Sequence, residues 1–201
     1  MLPKKIFISF SILFLLLILA LTYCVSVQKS LSSKILRLHV LANSNSTFDQ
    51  ELKLKVKDEI VNYLTPLLKD SKNLSETKEI INTNICEIKN LASLTVNKYS
   101  DYEVNVSIDT SNFPTKTYGN ISFPAGNYEA LKIEIGEARG NNWWCVMFPP
   151  LCFTNSSAGV FDDTSNKKLK ENLSSQEYAM INNANKPSVK IKFKLLEWWN
   201  S

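Results

Sequence analysis

Cys145 and Cys152 are the residues in this chain whose type and spacing most directly suggest chemistry. They flank Pro149-Pro150 within Asn142–Phe153 (NWWCVMFPPLCF), which also holds Trp143 and Trp144. Two such thiols could bridge, bind a metal or do redox work. Zinc is a poor fit, because His39 is the only histidine and two cysteines with one histidine do not meet ordinary zinc spacing. In an oxidising compartment a close pair is expected to join, closing a small loop across the Pro-Pro interruption. Such closure contributes roughly 2–3 kcal/mol. The competing expectation is two buried free thiols. Cys86, on a helical stripe beside Ile85 and Ile88, reads as an unpaired core residue.

His39 sits among apolar neighbours in KILRLHVLA (Lys34–Ala42). Catalysis would require a nucleophile, or a carboxylate to orient the ring, so a structural strand histidine is the simpler expectation. No P-loop, dinucleotide fingerprint, HExxH or GxSxG pattern occurs. Acidic pairs such as Glu134/Glu137 and Asp162/Asp163 are of a kind found by chance on most surfaces. Gly136–Gly140 resembles a phosphate loop only superficially, since it leads into a strand and not a helix N-terminus. Sequons such as Asn105-Val106-Ser107 and Asn120-Ile121-Ser122 are expected by chance in a chain rich in asparagine and serine. No catalytic residue, cofactor, metal or small-molecule substrate is expected.

The tryptophan pairs carry a different implication. Successive strand side chains point to opposite faces, so one of Trp143/Trp144 and one of Trp198/Trp199 should face outward. Tryptophan is enriched at binding hot spots. Trp143, Trp144, Pro149, Pro150, Trp198 and Trp199 therefore form the candidate partner surface.

The compartment follows from the N-terminus. Behind Lys4 and Lys5, residues 6–27 carry no charge, enough to cross a bilayer as a helix. Lysines before the run and none immediately after it keep residues 1–5 cytoplasmic and export the rest. A retained anchor and a cleaved signal both fit, although no Ala-x-Ala site follows the run. Leu21-Thr22-Tyr23-Cys24 resembles an acylation box, but Tyr23 beside the cysteine argues against it. Residues 28–33 read as a polar tether and 34–201 as one exported domain with a real core. The formal charge is +4, of which Lys4 and Lys5 supply two, so nothing favours nucleic acid.

Patterning supplies the elements that must hold these residues. Lys34–Ala42 alternates as a strand. Thr47 with Gln50 suggests a capping box opening a helix to about Leu68. Ser75 is expected to cap a second helix to about Leu94. From Tyr102 the period becomes that of strands: Tyr102–Ile108, a short piece over Thr115–Tyr118, and a strand near Ile121. A turn at Pro124–Asn127 leads to Tyr128–Gly136, and the tryptophan-cysteine strand follows. A helix over Ser174–Asn182, boxed by Ser174 and Glu177, and a final strand over Val189–Trp199 complete the reading. The class is α+β, with a mostly antiparallel sheet and helices packed against it.

Four pieces carry a family resemblance: Leu36–Asp58 (LRLHVLANSNSTFDQELKLKVKD), Phe113–Asn120 (FPTKTYGN), Pro124–Phe153 (PAGNYEALKIEIGEARGNNWWCVMFPPLCF) and Lys192–Trp199 (KFKLLEWW). In this order they resemble the stage II sporulation protein R family. The resemblance implies a non-enzymatic signal, exported from the forespore into the space between two membranes. There it would act on a membrane-embedded aspartic protease of the mother cell, which then processes pro-sigma-E. Two other classes remain to be weighed: an exported cell-wall hydrolase, which needs an acidic pair converging in a cleft, and a carbohydrate-binding module stacking sugars on exposed tryptophans.

Overall fold

The computed structural model describes residues 4–152 and 163–182. The first helix, α1 (Lys4–Ser32), is long and apolar enough over Ile6–Ser32 to cross a membrane, as an anchor or a signal would. It does not end in a tether. Gln28–Ser32, expected to be a loose polar linker, is the last turn of α1 and is built into the domain. Leu31 is fully buried, Gln28 Nε2 donates to Ala125 O at 2.7 Å, and Ser30 Oγ donates to Glu177 at 2.6 Å.

The sequence then runs β1 (Leu36–Leu41), α2 (Thr47–Leu68), α3 (Leu74–Thr83), α4 (Ile85–Asn97), β2 (Val104–Phe113), β3 (Lys116–Tyr118), β4 (Ile121–Phe123), β5 (Gly126–Ile135) and β6 (Asn142–Phe148). α5 (Asp163–Asn172) and α6 (Ser175–Ile181) follow. The main sheet has the order β2-β5-β1-β6. β2–β5 and β1–β6 are antiparallel, whereas β1–β5 is parallel, so the sheet is mostly antiparallel and the class is α+β. β3 and β4 form a separate hairpin.

Alternation along β1 assigns the two faces. Leu36, Leu38 and Val40 join Leu131, Ile133 and Ile135 against the apolar stripes of α2 and α4. The other parity sends Arg37 and His39 to the opposite face. There Phe113, Phe123, Tyr128, Leu151, Leu169 and Ile181 form a second core with Leu31 and Ile35.

Several local expectations shift. Ser46, and not Thr47, caps α2, its hydroxyl accepting from Asp49 N. The single helix expected from Ser75 to Leu94 is two helices. Asn73 caps the first, accepting from Glu76 N at 2.9 Å, and Asn84 breaks the run by turning its side chain back to Ile80 O. Cys86 is exposed rather than core, because α4 buries Ile88, Ala92, Thr95 and Val96. β2 extends five residues past Ile108 to Phe113. α5 is a helix that the sequence pattern does not announce, while the Ser174/Glu177 capping box expected on α6 is present. The strand expected over Val189–Trp199 lies outside the described residues.

Candidate functional site

Two loops at one end of the sheet set the position of Trp143. The turn after β1 and the turn after β5 are tied by main chain and side chain. Arg139 N donates to Asn43 O, Gly140 N to Ala42 O, Glu137 N to Asn43 Oδ1 and Asn141 N to Asn45 Oδ1. Asn43 is itself held by Asp49, which also accepts from Ser44 Oγ. Burial alone would raise the Asp49 pKa, but the bonds from Ser44, Asn43 and Ser46 bring it below the usual value. The Gly136–Gly140 segment is therefore a structural clasp. A Cβ at Gly140 would lie 2.1 Å from Ser44 O.

β6 leaves this clasp as an edge strand pairing His39 with Trp144 and Leu38 with Cys145. The Cys145 and Cys152 sulfurs are bonded, with Cα atoms 5.6 Å apart, and both residues are buried. The Pro-Pro turn inside this loop has a cis Phe148-Pro149 bond. Leu151 N and Cys152 N both donate to Val146 O, so the turn folds back on the outer side of β6.

The tryptophans do not divide into one inside and one outside. Both are half-buried, on opposite faces of β6. Trp143 packs on the helix-side core, with Lys57 Nζ 5.3 Å from its ring centroid. Trp144 packs on the other core, stacked at 6.1 Å on His39, with Lys116 Nζ 4.1 Å from its centroid. Each ring packs against one core and carries a lysine ammonium over it. Pro149 is buried and Pro150 half-buried. The expected surface is thus split between two faces and two ends of β6. Trp198 and Trp199 lie outside the described residues.

Beside Trp144 lies a cluster that its spacing could have revealed. Arg37 and His39 share the polar parity of an otherwise apolar strand. The Arg37 guanidinium is fully buried, 4.2 Å from the Phe113 centroid and 5.1 Å from that of Tyr128. It donates to Cys145 O and to Tyr118 Oη, and Tyr118 Oη donates to Trp144 O at 3.1 Å. No carboxylate pairs with Arg37 among the described residues; burial lowers its pKa, partly offset by Tyr118. Burial likewise raises the Tyr118 phenol and pushes Tyr128 up to about 12.

His39 is 6% exposed, tilted against Phe113 at 5.3 Å. Burial and the nearby Lys132 hold its pKa down at about 4. Asn142 lies close enough to favour the charged ring, yet neither ring nitrogen makes a hydrogen bond of normal geometry. The ring is neutral near pH 7 and packed between aromatics, which is the structural role anticipated for it. Of the acidic pairs, Glu134 is bound by Lys132 and Asn105 and Glu137 pairs with Arg139. Asp162 is outside the described residues, and the Asp163 side chain is too. Among the described residues no group of three His, Cys, Asp or Glu is placed to hold a metal.

The sequence model of the family described as Stage II sporulation protein R matches residues 32–158. The chain belongs to the stage II sporulation protein R family. It is 38% identical over 176 residues to the Stage II sporulation protein R of Bacillus subtilis (strain 168), an alignment covering 81% of this chain and 79% of that protein. No solved structure matches the chain. The matched stretch of the family spans β1 through the disulfide loop and contains the clasp, both tryptophans and the Arg37 cluster.

Proposed function

We propose that this chain is an exported sporulation signal that works by protein contact. Its target is a membrane-embedded aspartic protease, which on contact processes pro-sigma-E. The observation that carries this reading is the family match through the whole sheet. It is supported by an N-terminal helix long and apolar enough to cross a membrane. The half-buried tryptophans of β6 and the lysines lying over them supply aromatic and cationic contact area on a strand tied by a disulfide. Reconstitution tests it: protease and pro-sigma-E in lipid vesicles, with and without the full chain. Cleavage should appear only when the chain is added; equal cleavage without it overturns the reading. Trp144→Ala should abolish processing and Trp144→Phe should retain much of it. If Trp144→Ala stays folded and fully active, Trp144 is not part of the contact.

A further inference from the structure

The charges of α1 mark its depth in a bilayer. After Lys5 the next charge in the chain is Lys29, and the side chains from Phe7 to Val25 are exposed along the helix. About twenty residues at 1.5 Å each cover the roughly 30 Å of a hydrocarbon core, so a span that opens at Ile6 closes at Val25. Tyr23, 59% exposed, falls where aromatic rings gather at a membrane surface. Gln28 and Lys29 then stand about 4–6 Å past the hydrocarbon, within a headgroup layer about 5–7 Å deep.

The domain is fixed to α1 at this level. Gln28 Nε2 donates to Ala125 O at 2.7 Å, and Gly126 comes so close that a Cβ there would collide with Gln28. Two clefts open where helix and domain meet, and both reach Val25. The larger, about 540 Å³, lies between Val25, Gln28 and Lys29 of α1 and Thr110, Asn112 and Asn127 at the end of β2 and β5. The smaller, about 460 Å³, sets Cys24 and Val25 against Thr115, Ser122, Ala125 and Met180. Lys29 and Glu129 are the charged residues in these linings. Glu129 is held by Lys78 at 2.8 Å, whereas Lys29 is exposed and has no ion pair among the described residues. The exposed carboxylates Asp101 and Glu103 stand beyond the other end of β2, roughly 30 Å from Asn112.

We propose that the domain is seated on the bilayer that α1 crosses, with the larger cleft holding the phosphate of an anionic phospholipid. The Lys29 ammonium meets the phosphate charge, and the Thr110 hydroxyl and the Asn112 and Asn127 amides supply donors to its oxygens. The smaller cleft, with Val25, Ala125 and Met180 in its lining, borders the acyl chains. Phosphatidylcholine suits the larger cleft less well, because it brings its own cation and leaves Lys29 less charge to neutralise. A lipid is the occupant because the length of α1 sets the depth of Val25 and Lys29. This seating goes beyond the signalling reading and does not depend on which protein the chain meets.

The test places the full chain in nanodiscs and follows its backbone amides by NMR. Phosphatidylcholine carrying a nitroxide on its headgroup should broaden Asn112, Ala125 and Asn127 while sparing Glu103 and Gly140. Replacing part of the phosphatidylcholine with phosphatidylglycerol should shift Asn112 and Asn127. Lys29→Ser should reduce that shift several-fold and leave the broadening and the melting temperature in place. Sharp signals at Asn112 and Asn127 overturn the seating, as would result if another stretch of the chain filled the clefts. Equal broadening at Glu103 and Gly140 overturns it as well. Shifts that persist in Lys29→Ser, or that free glycerol phosphate reproduces in phosphatidylcholine discs, overturn the lipid site.

Discussion

Arg37 and His39 show what a single polar parity can do inside an apolar strand. Arg37 holds its charge with aromatic faces and neutral acceptors, a role that depends on the planar guanidinium. Arg37→Lys should therefore destabilise the domain more than Arg37→Met, with losses of about 1–3 kcal/mol read by urea unfolding. Lysine would keep the buried charge without the stacking, whereas methionine removes the charge. The pKa of His39 is depressed when folded, so between pH 6.5 and about 4 the unfolded chain binds the extra proton. Stability should climb with pH across that window and level off above it, and His39→Phe should flatten the climb. The bland role of His39 was legible from its neighbours. Its stacking on Trp144 was not, because it depends on a β1–β6 register that only the folded clasp establishes.

At the scale of elements, the strands and α2 were legible because their periods are clean. The second helix reads as continuous in sequence because Asn84 falls between two stretches of matching apolar spacing. α5 escaped because a segment as polar as DTSNKKLKEN shows little periodicity beyond Leu169. The clasp between the β1–α2 and β5–β6 turns is invisible in sequence, being made of main-chain amides bonded to main-chain and asparagine side-chain oxygens nearly a hundred positions away. It gives a sharp expectation. Gly140→Ala drives a methyl into Ser44 O and should cost about 1–3 kcal/mol by forcing the loops apart. A melting temperature equal to wild type would show that the loops separate freely. Cys152→Ser should cost about 2–3 kcal/mol through loss of loop closure. Reductant should then lower the stability of the wild type and leave the variant unchanged.

In the whole molecule, the join between α1 and the rest is the largest departure from what the sequence suggests. Composition reads Gln28–Ser33 as a linker because serine, lysine and glutamine are common there, but Gln28 reaches Ala125 O, and Ser30 and Lys34 find their partner 147 and 143 residues downstream. Glu177 gathers them: its carboxylate accepts from Ser30, from Lys34 at 2.7 Å and from Ser174 N. Burial would raise its pKa, yet these donors hold it at about 2. The folded value is depressed, so its contribution is present above the ordinary carboxylate range and is lost as pH falls toward 2. Glu177→Gln should remove that acid sensitivity and loosen α6. Hydrogen exchange at Tyr178 and Ile181 would report it, and unchanged rates would show that α6 is held by its apolar face alone.

This join also changes how the molecule meets anything else. While α1 stays in the bilayer, the domain cannot swivel on a string, and its tilt and height above the lipid are set by the helix that carries it. Part of the orientational freedom that a diffusing protein surrenders on association is already gone before the encounter. Inserting a few glycines between Val27 and Gln28, ahead of the residues that dock on the domain, would restore that freedom. A partner that relies on a fixed presentation would then bind the same surface more weakly.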